Sequence, residues 1–291
     1  MRPFLCVLCV LCSSAALGQT KTDAHGLAIT TAARSLQPGE VVVLTIATAA
    51  RADALRVRAF NRDMPALRVD PLQWRALVGI DLGVAAGRYP IAVEAHEDSK
   101  ILRATHVLVV RPRRFPTRRL NVDEAFVNPP PNVAERIARE DRELQDLWQH
   151  SPRESHWSDG FVRPVPNPAN SRFGTRSIYN GQPRSQHAGA DFLSPARTPV
   201  QAPNAAEVVL AHDLYFLGQT VVLDHGQGLF SILAHLSAID VHQGETVAAG
   251  QVVGCVGATG RVTGPHLHWA VRVAGARVDP LSLLALINQR P

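Results

Sequence analysis

VHQGETVAAGQVVGCVGATGRVTGPHLHW, residues 241–269, decides the fold of the C-terminal third of this chain. Gly244, Gly250, Gly254, Gly257, Gly260 and Gly264 punctuate short apolar runs such as Val252-Val253. Just upstream, Gly226 and Gly228 separate Val221-Val222-Leu223 from Leu229-Phe230-Ser231-Ile232-Leu233. This spacing predicts short antiparallel strands joined by tight turns, in which glycine supplies positive φ. The stretch closes on His-Leu-His. Alternate side chains of a strand share a face, so His266 and His268 point into one groove while Leu267 and Trp269 point the other way. GATGRVTG has the glycine content of a phosphate-cradling loop, but no Lys-Ser/Thr follows it and no helix opens after it. It reads instead as a turn beside a cleft.

Working outward, HAGAD (187–191) brings His187 and Asp191, and AHLS (234–237) brings His235. Each fragment is weak alone in a chain with 12 histidines, and His235, with Ile232 and Leu233 just before it, would by itself read as a core histidine. Together the five residues supply a zinc site and the groups to work it. Three N/O ligands leave one coordination position for water, whose pKa zinc lowers to about 7 while polarising the carbonyl under attack. Two histidines then remain for proton work, and of His266 and His268 one can hold metal while the other faces substrate. His212, His225 and His242 sit in ordinary turn or strand-edge contexts.

The stretch resembles the lysostaphin-like (LytM-type) zinc metallopeptidases that cut peptidoglycan peptides. The likeness runs in order through SRFGTR (171–176), HAGADF (187–192), TPVQAP (198–203), VVLDHGQGLFSILAHLS (221–237), residues 241–269 and VDPLSLL (278–284), about 115 residues without a large gap. It implies that His187, Asp191 and His268 bind Zn2+ and that His235 and His266 are the catalytic pair, one accepting the proton of the attacking water and the other serving the oxyanion or leaving amine. A carboxylate and two imidazoles leave the bound ion one net positive charge, which suits that chemistry. Tyr179, just ahead of the first ligand, is a candidate oxyanion donor. Arg197 stands where the family commonly has Gly, and Leu233 where a Tyr often precedes Ala-His; both bear only on cleft shape and substrate preference. The resemblance implies a peptidoglycan peptide as substrate. A catalytically inactive scaffold or activator on the same fold would be expected to lack a ligand; a zinc peptidase acting on some other peptide is the second alternative.

The remainder of the 291 residues frames this region. Residues 1–18 read as a secretory signal peptide with a cut near Gly18; their apolar run from Pro3 to Leu11 is too short for a membrane span. Export to the periplasm, envelope or medium follows, with no membrane anchor after cleavage. Cys6, Cys9 and Cys12 would leave with the signal, and Cys255 alone permits neither an intramolecular disulfide nor a Cys-based zinc site. Net charge is +5, from 30 basic and 25 acidic residues. This favours an anionic polymer such as a carboxylate-rich wall, and the absence of aromatic-interleaved basic motifs in an exported chain argues against nucleic acid.

Residues 24–112 alternate with period two in Val41–Ile46, Leu55–Phe60, Tyr89–Val93 and Val107–Val110, with turns at Pro38-Gly39 and Ala86-Gly87. An immunoglobulin-like β-sandwich is expected there. It would place the enzyme, hold a regulatory envelope protein, lie across the cleft or act as a spacer. Residues 113–170 read as a Pro-rich linker carrying a helix at 132–149, capped by Asn132 with Glu135 completing a capping box, its apolar stripe Val133, Ile137, Leu144 and Trp148. The peptidase domain is expected over 171–288, so a fragment from Ser171 should hold the whole site. The overall expectation is a mainly β chain ending in an antiparallel sheet with a zinc cleft.

Overall fold

The computed structural model describes residues 20–24, 26–157, 160–171 and 173–287. The expected signal segment lies outside them. The N-terminal strands are β1 (Thr20–Ala24), β2 (Leu27–Ala33), β3 (Val41–Thr48), β4 (Ala54–Ala59), β5 (Arg62–Met64), β6 (Ala66–Asp70), β7 (Gln73–Gly79), β8 (Gly87–Glu97) and β9 (Lys100–Val110). They form two antiparallel sheets, ordered β1-β2-β3-β7-β6 and β5-β4-β8-β9. Along β2 every second residue is buried, as period-two patterning requires. Ile29, Leu44 and Ile46 of one sheet meet Val57, Ile91 and Val93 of the other in a single core.

The segment after β9 does more than connect. β10 (Thr117–Leu120) pairs in parallel with β12 (Arg176–Tyr179), which pairs in turn with β13 (Gln182–Gln186). The expected helix is present as α1 (Ala134–Leu147), but Asn132 does not cap it. Pro131 to Val133 form a 3-10 turn, and the residue at the cap position is Val133, without a side-chain hydrogen bond. Two prolines at 130 and 131 lead the chain into that turn and displace the start of the α-helix beyond Asn132. Leu144, Leu147 and Trp148 pack on Leu210 and Phe230, with the Trp148 and Phe230 rings 5.0 Å apart edge-on. Phe161 and Val165 of the Pro-rich lead-in are buried in the C-terminal core itself.

That core is built on a ten-stranded antiparallel sheet whose main path is β11 (Ala169–Ser171), β14 (Gly189–Phe192), β21 (Leu267–Val273), β18 (Leu229–Ile239), β17 (Gly218–Asp224), β16 (Ala206–Leu214) and β19 (Thr246–Val247). β15 (Pro199–Gln201) and β20 (Val252–Val256) pair with each other, β20 also pairs with β18, and β22 (Ala276–Val278) pairs with β21. The helix α2 (Pro280–Ile287) follows. Val41 and Leu77 of the sandwich join Val273, Val278 and Leu283 in this second core. Around them, Arg34 pairs with Glu40 and Asp279, each at 2.7 Å, and Ser282 donates to Glu40 at 2.9 Å. The sandwich is thus docked at the Val273 end of β21, whereas His268 lies at the other end.

Asp81 and Arg277 add a bidentate pair to this junction, with contacts of 2.7 and 3.0 Å. Burial raises the Asp81 carboxyl, but the hydrogen bonds from Arg277 outweigh that and hold it at about 2. A carboxyl depressed in the fold lends stability above its unfolded value of 3.8, and that stability is lost as pH falls through about 2. The group is partly open to solvent, which leaves the pair about 1 kcal/mol. Asp81→Asn is expected to lose about that much at pH 7 and to show a flatter stability profile below pH 4 in urea titrations; an unchanged profile would mean the pair contributes nothing.

Candidate active site

Asp191 of β14 stands directly opposite His268 of β21, and Ala190 opposite Trp269. Opposed residues on neighbouring strands hold their Cβ atoms about 5 Å apart on one face. Asp191 and His268 therefore meet in the cleft, while Ala190 and Trp269 turn into the core with no exposed surface. His187 precedes β14 and is fixed by its own backbone, which donates to the Thr175 carbonyl and accepts from Gly174. Gly189 leaves room for the arrangement, since a Cβ there would stand 2.6 Å from the His268 ring.

On its other side β21 pairs with β18, with Ala234 opposite His268. His235 comes next, where the β18 register slips against β17, just ahead of a second slip against β20 between Leu236 and Ala238. Its φ is +65°, a left-handed conformation that a residue with a Cβ adopts at a cost of roughly 1–2 kcal/mol. The irregularity turns the side chain out of the strand alternation and toward the cleft. His266 sits just before β21, bridged to Gly257. The His235 ring centre is 4.9 Å from that of His266 and 5.8 Å from that of His268.

Three atoms converge at the centre: His187 Nε2 and Asp191 Oδ1 are 2.9 Å apart, His268 Nδ1 and Asp191 Oδ1 2.9 Å, and the two ring nitrogens 3.0 Å. A neutral imidazole has one N–H, which cannot satisfy both of its neighbours in such a triangle. Two imidazoles and a carboxylate are the donor set of a hydrolytic zinc ion, and the sides approach the ~3.3 Å donor separation of a tetrahedral ion with bonds of ~2.0–2.1 Å. The residues fit the metal. Among the described residues this is also the group that can offer three ligand atoms within 4.8 Å of one another.

The charges are arranged to match. Burial raises the Asp191 carboxyl, but hydrogen bonds to His187 and His268 outweigh that and hold it far below the usual carboxylate range. Burial also pushes His268 down, and it pushes His235 down to about 3, helped by repulsion from His268 and His266. His235 is therefore neutral at physiological pH. Its Nδ1 lies 2.9 Å from the Thr259 carbonyl, and His266 Nδ1 lies 2.8 Å from the Gly264 carbonyl. A carbonyl only accepts, so in both rings Nδ1 carries a proton, and a neutral ring at either position presents Nε2 as its lone-pair base. His266 Nε2 is 3.8 Å from Asp191 Oδ1.

One neighbour gave no signal in the sequence. Arg118 of β10 donates from Nε to Ser177 at 3.1 Å and brings Nη1 within 3.6 Å of Asp191 Oδ2. It comes from the segment read as a linker, so a fragment from Ser171 omits a residue of the cleft. The three histidines read as ordinary in the sequence have other partners. His225 is fully buried between the Ala205 carbonyl and the Ser231 hydroxyl, and burial lowers it to about 4. His212 pairs with Glu143, and His242 is exposed beside Glu245.

Comparison with known proteins places this geometry. Residues 185–280 match the model of peptidase family M23. A solved structure described as a putative peptidase M23 from Pseudomonas aeruginosa is 32% identical, covers 86% of this chain and 96% of its own, and superposes with a TM-score of 0.68. The chain belongs to peptidase family M23. Among curated relatives, the peptidoglycan DD-endopeptidase ShyA of Vibrio cholerae is 35% identical over 139 residues, 47% of this chain and 30% of ShyA. The DD-carboxypeptidase/endopeptidase Mpg of Neisseria meningitidis is 40% identical over 97 residues, 33% of this chain and 22% of Mpg. The chain thus spans less than a third of the length of these relatives. At the two positions singled out as departures, Arg197 adopts φ +69°, a conformation that favours glycine, and Leu233 is buried in the core away from the cleft.

Proposed function

We propose that this chain is an exported, zinc-dependent endopeptidase that hydrolyses peptide bonds in peptidoglycan stem peptides or cross-links. The observation that carries the reading is the convergence of His187, Asp191 and His268 on one point, with two further histidines of fixed tautomer beside it. The activities named for ShyA and Mpg support a wall peptide as substrate. No helix among the described residues is long and apolar enough to cross a membrane, and the N-terminal sequence pattern supports export.

In this reading His187, Asp191 and His268 hold zinc, which when bound acidifies a water and polarises the scissile carbonyl. Arg118 neutralises the outer oxygen of Asp191 and fixes the carboxylate plane. Of His235 and His266, one Nε2 takes the proton of the attacking water. The other, carrying a second proton taken up from solvent at Nε2, donates to the oxyanion or the leaving amine. The backbone carbonyls of Thr259 and Gly264 keep both rings in register through that exchange.

Mass spectrometry of muropeptides released from purified sacculi, with and without chelator, tests the proposal. New free amino termini in cross-linked or stem peptides, lost on chelation and restored by zinc, are the expected result. Intact muropeptides under all conditions would overturn it.

A further inference from the structure

Arg261 lies in the loop between β20 and His266, two residues after Thr259, whose carbonyl holds His235. Its backbone N–H donates to the Phe216 carbonyl, and its guanidinium carbon sits 4.7 Å from the Phe216 ring centre and 5.1 Å from that of Tyr179. Tyr179 follows Ser177 by two positions on the same buried face of β12, and Ser177 accepts from the Arg118 that reaches Asp191. Strand spacing puts Tyr179 about 7 Å further along that face. One wall of the cleft therefore runs from Asp191 through Arg118, Ser177 and Tyr179 to Arg261, and returns through Thr259 to His235.

On that wall Arg261 is a cation without an anion. Arg34 and Arg113 pair with Glu40 and Asp279, Arg136 with Glu140 and Asp213, and Arg277 with Asp81. Arg184 donates to the Val127 carbonyl and to Gln182. Arg272, stacked on Trp148 four residues along β21 from His268, donates to the Gly275 carbonyl. The Arg261 guanidinium, among the described residues, has neither a carboxylate partner nor a hydrogen-bond acceptor. Burial disfavours its charge, and nearby Arg184 disfavours it further. The Tyr179 hydroxyl beside it also makes no hydrogen bond among the described residues. A guanidinium carries five N–H donors, and on this half-buried side chain none of them meets an acceptor among the described residues. A planar carboxylate satisfies two of them at once.

We propose that Arg261 anchors a free carboxylate of the substrate, so that the cleft selects peptides carrying an unamidated carboxyl on the segment lying against Tyr179. The inference rests on the peptidase reading above and names a specificity determinant within it. The competing role for Arg261 is a clamp that ties its loop to Tyr179 and Phe216; that role is indifferent to what the substrate carries.

The test compares a purified cross-linked muropeptide dimer bearing free carboxyls with the same dimer after chemical carboxyl amidation, using the full-length protein. The wild type is expected to favour the free acid in kcat/KM by about 10–100-fold, chiefly through KM, the scale of a charge-assisted hydrogen-bonded pair. Arg261→Gln brings that ratio close to one, and Arg261→Lys, which keeps the charge but loses the fork, restores part of it. Arg261→Met keeps the packing against both rings and carries the test if Arg261→Gln does not fold. A wild type that does not distinguish the dimers, or variants that lose activity equally on both, overturns the proposal. If the wild type cleaves neither dimer, the peptidase reading fails instead, and calorimetric titration with the two dimers decides Arg261: tighter binding of the acid to wild type but not to Arg261→Gln upholds the anchor, and equal binding overturns it.

Discussion

His187→Ala, Asp191→Ala and His268→Ala are each expected to leave the purified protein with almost no zinc and no measurable hydrolysis, against about one zinc in the wild type. The three donor atoms stand 2.9 to 3.0 Å from one another on two strands and the turn before them. Removing one leaves two ligands, which compete poorly with water for the ion. Asp191→Asn makes the sharper probe, because it keeps the shape and removes the charge. The ligand set then loses its single anion, and Arg118 faces a neutral amide rather than a carboxylate. Chelator should lower the melting temperature of the wild type, since a ligand that binds the folded state alone stabilises it, and should leave the alanine variants unmoved. Metal analysis that finds full occupancy in all three alanine variants would sink the ligand assignment.

Much of this centre was legible because strand alternation is a strict rule. His266 and His268 were expected on one face with Leu267 and Trp269 on the other, and Leu267 and Trp269 are indeed fully buried while both histidines face the cleft. The glycine-punctuated runs likewise read directly as strands, since turn residues and apolar pattern point the same way. What stayed hidden depends on tertiary context. Arg118 belongs to a Pro/Arg-rich stretch whose composition reads as linker; only its parallel pairing with β12 brings it to Asp191. The same holds for Phe161 and Val165, whose lead-in is irregular in sequence and yet packed in the core. Asn132 failed as a helix cap because the prolines before it impose a 3-10 turn, a local competition that the capping pattern does not register. The conformation of His235 is hidden for a similar reason, since Ala-His-Leu inside an apolar run carries no mark of a left-handed residue.

That conformation shapes how His235 must be tested. His235→Ala places an ordinary Cβ residue at φ +65°, so a loss of activity there mixes lost chemistry with backbone relaxation. Asparagine tolerates the left-handed region far better, and His235→Asn therefore removes the imidazole while keeping the bulge. We expect His235→Asn and His266→Ala to retain about one zinc and to lose ~10²–10⁴-fold in kcat on sacculi, the usual contribution of a general acid or base. Each barrier increase is then about 3–5 kcal/mol. The metal should remain because neither ring belongs to the triangle of His187, Asp191 and His268. Loss of zinc along with turnover in His266→Ala would move that residue into the ligand set. Wild-type turnover in His235→Asn would make the His235 contact to the Thr259 carbonyl a purely structural one, with the imidazole serving only to fill the bulge.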